Sequence, residues 1–279
     1  MPKRLTDAQV EQYRGQGFTF PIDVFSEDEV ARFRNNLETY EAAQGRPLNG
    51  VERAKSYLLF DWVHEMVTHA NVLDAVEDVI GPDILVFYSS AWIKEPSGPG
   101  FVSWHQDSTY FGLEPARHVT AWMALSPSTV ESGCVCILPR SHTDGQLPVR
   151  YEDPGDNLLT SGQHVVADID QSKTVNMALA PGQMSLHHTH ALHGSNPNTS
   201  SDRRIGFCIS YIPASVHQIG EHRSNALLVR GEDTYGHFGP EIAPVGNADE
   251  VSRATHGEAL ELFRANAREK GNTTVSRLD

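Results

Sequence analysis

The chain contains no apolar run approaching the ~20 residues that span a bilayer, so it predicts no membrane-spanning helix. Positive charge is also scarce. Lys and Arg number 22 against 36 Asp and Glu, a net charge of −14, and no basic cluster offsets this. A phosphate-backbone partner is therefore not expected, and neither nucleic acid nor membrane is predicted as a partner. Cysteine is limited to three residues, which cannot all pair; Cys134 and Cys136 sit two apart in an apolar stretch and read as reduced core residues. No second Cys/His pair stands at zinc-like spacing, which argues against a structural zinc site. The opening Met1-Pro2-Lys3-Arg4-Leu5-Thr6 lacks an apolar core, so the expectation is no secretory signal and a cytoplasmic setting. Internal repeats and low-complexity tracts are missing as well, which leaves an ordinary globular chain.

What is present divides into two characters. The first ~80 residues read as helical. Thr6 with Gln9 and Ser26 with Glu29 have the spacing of capping boxes. Val30, Phe33 and Leu37 recur at helical spacing, and a further helix carrying Val72, Val76 and Val79 stops at Gly81-Pro82. From residue 83 the segments 84–94, 102–106, 118–125, 134–138, 183–190 and 204–212 read as strands, separated by Gly, Pro, Ser and Asn. A long polar stretch, 140–174, holds Asp-Gly, Asp-Pro-Gly and Ser-Gly turns and reads as a lid or binding loop. Helix returns over 256–269, with Leu260 and Phe263 on one side. The pattern predicts one domain over residues 1–279, α+β but mainly β, with a double-sheet core and N-terminal and flanking helices.

The chemistry concentrates in Trp104-His105-Gln106-Asp107. On an extended segment His105 and Asp107 would share one face, and two such donors can grip a single metal. A third ligand would complete the two-His-one-carboxylate set of non-haem Fe(II) oxygenases, which leaves three coordination positions open. His187, His188, His190 and His193 all offer themselves, and spacing alone does not choose. His193 has one advantage, because it stands where an apolar strand gives way to Gly194-Ser195-Asn196-Pro197-Asn198 at the rim of the core. Arg204 opens an otherwise apolar strand, a costly place for a cation unless it meets an anion, and a guanidinium fork suits a carboxylate.

The ordered set resembles the phytanoyl-CoA dioxygenase-like family of Fe(II)/2-oxoglutarate oxygenases. It comprises Leu5-Thr6-Asp7-Ala8-Gln9, Ile93-Lys94-Glu95-Pro96, Trp104-His105-Gln106-Asp107, Ala121-Trp122-Met123-Ala124-Leu125, Glu131-Ser132-Gly133-Cys134, Leu138-Pro139-Arg140-Ser141-His142 and Leu192-His193-Gly194-Ser195 through Arg203-Arg204. The resemblance covers nearly the whole chain and implies a double-stranded β-helix, the jelly-roll or cupin-like core. It implies that His105, Asp107 and His193 hold Fe(II), that Arg204 anchors the distal carboxylate of 2-oxoglutarate with Ser195 as its hydroxyl helper, and that Trp122 and Lys94 line the cosubstrate pocket. His142, His187, His188 and His190 have no ligand role in that pattern, and Arg140 stands in a turn where the family usually has Gly. The implied reaction consumes O₂, decarboxylates 2-oxoglutarate to succinate and hydroxylates an aliphatic C–H of a small polar molecule. Related halogenases carry a small residue at the position of Asp107, so the carboxylate favours hydroxylation.

Substrate cues are thinner. Tyr88, Ser90, Trp92 and Lys94 share one strand face by parity, and Tyr110 and Phe111 follow the metal motif. These aromatics suit an ammonium group, with Lys94 or Arg117 meeting an anionic end. The stretch from His105 through Leu113 also resembles aminoalkylphosphonate hydroxylases. Two competing readings use the same residues: a zinc- or manganese-dependent cupin-like hydrolase or isomerase, and a non-catalytic ligand-binding member of the fold. The placement of Arg204 counts against the first, and the intact ligand set against the second.

Overall fold

A computed structural model describes residues 2–159 and 162–269; the first residue of the expected Ser161-Gly162 turn lies outside them. Both capping boxes form. Thr6 accepts from the Gln9 amide to open α1 (Asp7–Gln16), and Ser26 accepts from Glu29 to open α2 (Glu27–Gln44), each worth about 1 kcal/mol. Val30, Phe33 and Leu37 of α2 are buried as the spacing predicts. A third box, Asn49 with Glu52, opens the short α3 (Gly50–Arg53) and has no counterpart in the sequence reading. Helices α4 (Asp61–Thr68) and α5 (Ala70–Ile80) follow, and α5 ends at Gly81 as expected.

One strand interrupts the helical N-terminal region: β1 (Phe18–Asp23). Its Phe18-Thr19-Phe20-Pro21-Ile22 pattern alternates, but Pro21 masks it as a strand, since proline is confined to sheet edges. The fold agrees, because β1 is the edge strand of the large sheet. After α5 come β2 (Ile84–Lys94), β3 (Val102–His105), the turn of helix α6 (Ser108–Phe111), β4 (Leu113–Glu114), β5 (Val119–Ala124) and β6 (Val135–Ile137). The 140–174 stretch is not structureless. Strands β7 (Val149–Tyr151) and β8 (Gln163–Val165) pair antiparallel within it. Then come β9 (Val175–Met177), β10 (Gln183–His188), β11 (His193–Ser195), β12 (Arg204–Pro213), β13 (His217–Gln218), β14 (Asn225–Arg230), β15 (Gly239–Pro240) and α7 (Glu250–Glu269). Before the short 3-10 turn at 141–144, Arg140 adopts φ +67°, the left-handed conformation that explains a usual Gly there.

Two sheets make the core. The larger runs β1-β10-β5-β12-β2-β14-β15 and the smaller β3-β11-β6-β9. They face one another through Trp122 and Ala124 on one side and Val135, Ile137 and Met177 on the other. This is the double-stranded β-helix, and the chain's strand parity builds it. On β12, Ile205, Phe207, Ile209 and Tyr211 turn outward into an apolar cluster with Phe33, Leu37, Val63, Met66 and Val76 of the helices. Arg204, Cys208 and Ser210 therefore turn inward and line a cavity of about 210 Å³ between the sheets. The same rule on β5 sends Val119, Ala121 and Met123 to the helices and leaves Thr120 and Trp122 facing the cavity.

Candidate active site

His105 ends β3 and His193 begins β11, and the two are direct cross-strand partners. Their rings consequently lie 4.0 Å apart, centroid to centroid. Each ring is fixed by its own chain: His105 Nδ1 lies 2.9 Å from the Ser103 carbonyl, and His193 Nδ1 lies 3.0 Å from that of Ala191. A carbonyl only accepts, so in the neutral imidazoles Nδ1 carries the hydrogen and Nε2 is left with its lone pair. Burial, with His105 and His187 alongside, pushes the His193 pKa well below its ordinary value and keeps that lone pair free.

Asp107 arrives differently from the sequence expectation. The strand stops at His105, and Asp107 caps α6 with a helical backbone, φ −63° and ψ −34°. The shared face thus comes from a strand-to-turn junction and not from strand alternation. Its Oδ1 nevertheless stands 3.6 Å from His105 Nε2 and 3.7 Å from His193 Nε2, and the three donor atoms lie within 4.8 Å of one another. Two imidazole nitrogens and a carboxylate oxygen with lone pairs converging are the donor set expected of a non-haem Fe(II) site.

The other carboxylate oxygen is also held. Thr120 donates to Oδ2 over 2.6 Å, the Thr120 hydroxyl lies 3.1 Å from His118 Nε2, and His118 Nδ1 lies 3.0 Å from the Thr189 hydroxyl. Burial drives the His118 pKa to about 4, so this relay is neutral. His187 is buried behind Asp107, its Nε2 3.3 Å from Oδ2 but misaligned for a hydrogen bond. Sequence reasoning set His187 aside with its neighbours and passed over Thr120 and His118. The parity of strand 118–125 was the available signal for Thr120. His142, His188 and His190 form a separate row of rings, 5.4 and 5.5 Å apart.

Arg204 is only 1% exposed. Its guanidinium donates to the Gly133 carbonyl over 2.8 Å, its Nε has no partner, and it stands 5.1 Å over the Trp122 ring. Trp122 occupies that place because residue 206 is Gly; a Cβ there would meet the indole at 2.1 Å. Burial pulls the Arg204 pKa to about 10, an uncompensated cost in the protein alone. Lys94 is the cross-strand partner of Arg204 and donates to Ser195 Oγ over 2.7 Å and to the Asn196 carbonyl. Ser195 and Trp122 line the cavity with Arg204, while Lys94 lies behind Ser195. Tyr88, Ser90 and Trp92 of β2 line it as parity predicts, as do Tyr110 and Phe111. Arg117 does not; it donates to the Ile80 carbonyl instead. Leu158 and Leu159 from the 140–174 stretch reach the cavity wall.

The comparisons with known proteins agree with this architecture. Residues 13–206 match the family model of phytanoyl-CoA dioxygenase. A probable alpha-ketoglutarate-dependent hypophosphite dioxygenase of Stutzerimonas stutzeri is 26% identical over 250 residues, covering 81% of this chain and 86% of that protein. Among solved structures, the apo form of the non-heme monooxygenase ThoJ superposes with a TM-score of 0.84 at 30% identity, over 94% of this chain and 98% of that one. The non-heme alpha ketoglutarate dependent carbocyclase SnoK gives 0.62 at 25% identity, over 78% and 89%. Fold, donor set and likeness together define a dioxygenase dependent on Fe(II) and 2-oxoglutarate, with O₂ as its second cosubstrate. The chain belongs to the phytanoyl-CoA dioxygenase family. No helix among the described residues is long and apolar enough to cross a membrane.

Proposed function

We propose that His105, Asp107 and His193 hold the Fe(II), that Arg204 binds the distal carboxylate of 2-oxoglutarate, and that the reaction hydroxylates an aliphatic C–H bond of a small polar molecule. The observation that carries this reading is Arg204: a buried guanidinium with one carbonyl partner, lining the same cavity as the three converging donors. It fits a carboxylate, which a fork of N–H donors grips better than any single charge. Ser195 and Lys94 lie beside it, and Trp122 forms the floor. When bound, the iron supplies the O₂ activation that turns 2-oxoglutarate into succinate and oxidises the substrate.

The chain's own residues supply placement. The two backbone carbonyls fix which nitrogen of each imidazole faces the cavity, and Thr120 leaves one oxygen of Asp107 to face them. The apolar walls limit water around the reacting groups. An aminoalkylphosphonate is the substrate class that the stretch after His105 suggests, and the phosphorus oxyanion named for the Stutzerimonas relative supports that direction. One domain spanning the chain carries the whole site, a reading supported by an apolar cluster that runs from Leu5 to Ala259. Three unpaired cysteines support a cytoplasmic setting.

Arg204→Ala tests the assignment. Anaerobic titration should show 2-oxoglutarate affinity falling about 30- to 5,000-fold, the cost of removing one partner of a buried charge pair. Fe(II) affinity should change little. Equal loss of both, or neither, would show that Arg204 has another role.

A further inference from the structure

Beyond Arg204, one more cation among the described residues faces the cavity. Arg53 closes α3 and lines the same space as Tyr88, Ser90 and Trp92 of β2. An isolated bridge between Ala54 and Ser90 pins the end of α3 to that strand. The guanidinium donates through Nε to the Leu48 carbonyl over 3.0 Å. The acids around it are taken by others: Glu41 and Glu95 pair with Arg203 at 2.8 and 2.9 Å, and Glu52 pairs with Arg46 at 2.7 Å. No carboxylate among the described residues lies within ion-pair distance of Arg53. Half-burial lowers its pKa, and Glu41 and Glu95 only partly restore it. Asp107 is the only acidic side chain among the described residues lining the cavity, and it belongs to the donor cluster.

We infer that Arg53 is the specificity residue for an oxyanionic head group on the substrate, a carboxylate or a phosphonate, whose apolar portion lies along Tyr88, Trp92 and Phe263. The inference rests on the proposed assignment of Arg204 to 2-oxoglutarate, which leaves Arg53 for the substrate. Two arginines and one engaged acid make the cavity unsuited to a substrate that is only a cation. The aromatic wall alone would admit an ammonium group, but nothing acidic waits for it.

The test uses enzyme loaded anaerobically with Fe(II) and 2-oxoglutarate, titrated with n-butylphosphonate, pentanoate and n-butylamine. These share a four-carbon tail and differ in the head. At least one of the two anions should bind and the amine should not; the better anion identifies the head group. Arg53→Gln should weaken that anion at least tenfold, Arg53→Lys less, and both should retain the wild-type affinity for 2-oxoglutarate. That retained affinity also reports that the variants are folded. Binding of no anion, equal binding of the amine, or an unchanged affinity in Arg53→Gln overturns the inference. An Arg204→Ala variant that keeps the wild-type affinity for 2-oxoglutarate in the same cell would instead overturn the assignment of Arg204.

Discussion

At the donor end of the cavity, backbone and hydroxyl groups place the atoms that matter. Both Nδ1 atoms meet the backbone carbonyl two residues earlier, and Oδ2 of Asp107 takes a hydroxyl from Thr120. In the second region of the same cavity Arg204 keeps one carbonyl for its guanidinium, its Nε has no partner, and burial has already lowered its pKa. The first region is organised to present lone pairs at a fixed point. The second carries an uncompensated charge that only an incoming anion can satisfy. A site of this kind separates two jobs: the fold fixes where the metal goes, and the cosubstrate itself completes the cation end.

The largest effect should come from the donor end. Asp107→Ala removes the only anionic donor, and Fe(II) affinity measured anaerobically should fall by more than the 10- to 100-fold typical of losing an outer hydrogen-bond partner. His187 stands close enough to Asp107 to make this a real test. If Asp107→Ala holds Fe(II) within about tenfold of wild type, the geometry at this end is not what fixes the metal.

Thr120→Val should have an intermediate effect. It deletes the hydroxyl on Oδ2 while keeping the shape of a buried β-branched side chain, so Fe(II) affinity should drop about 10- to 100-fold. Thr120→Ser should recover most of it, which a purely packing role would not produce. Were Thr120→Val to weaken 2-oxoglutarate instead of iron, the two ends would be coupled and the division drawn above would be wrong.

Much of this division is legible in the sequence. The inward and outward alternation on β5 and β12 follows from strand parity, and it sends Trp122 and Arg204 into one cavity. The capping boxes and the boundaries of β2 were equally local, and local signals survive folding. What stayed hidden depends on distant partners. Thr120 matters only because β5 runs beside β10 and brings its hydroxyl to a turn thirteen residues earlier in the chain. Among four clustered histidines, His193 differs from His187 by its pairing with His105 across β3 and β11, and no spacing rule contains that pairing. Arg53 sits on a four-residue helix joined to β2 by the Ala54–Ser90 bridge, a contact between segments far apart in sequence. Arg117 showed the converse, a cation next to the site in sequence but spent on a helix carbonyl.

The smallest effect sharpens the cation end. Burial, then the neighbouring Arg204, brings the Lys94 amine from its ordinary 10.5 to about 7. Below pH 7 both the folded and the unfolded chain carry this proton, and the cost of burying the charge is present in full. Between about 7 and 10.5 the unfolded chain holds a proton that the folded one does not, so this group makes stability rise with pH across that window. Lys94→Met should therefore unfold at a higher temperature than wild type at pH 6, by a few degrees at about 2–4 °C per kcal/mol, and lose the advantage by pH 9 to 10. An anion arriving at Arg204 favours the charged amine, so 2-oxoglutarate binding to wild type at pH 8 should take up a fraction of a proton. Calorimetry in two buffers of different ionisation heat measures that uptake, and Lys94→Met should abolish it. An uptake of the same size in both proteins would mean that Lys94 does not sense the cosubstrate, and that Arg204 completes the cation end without it.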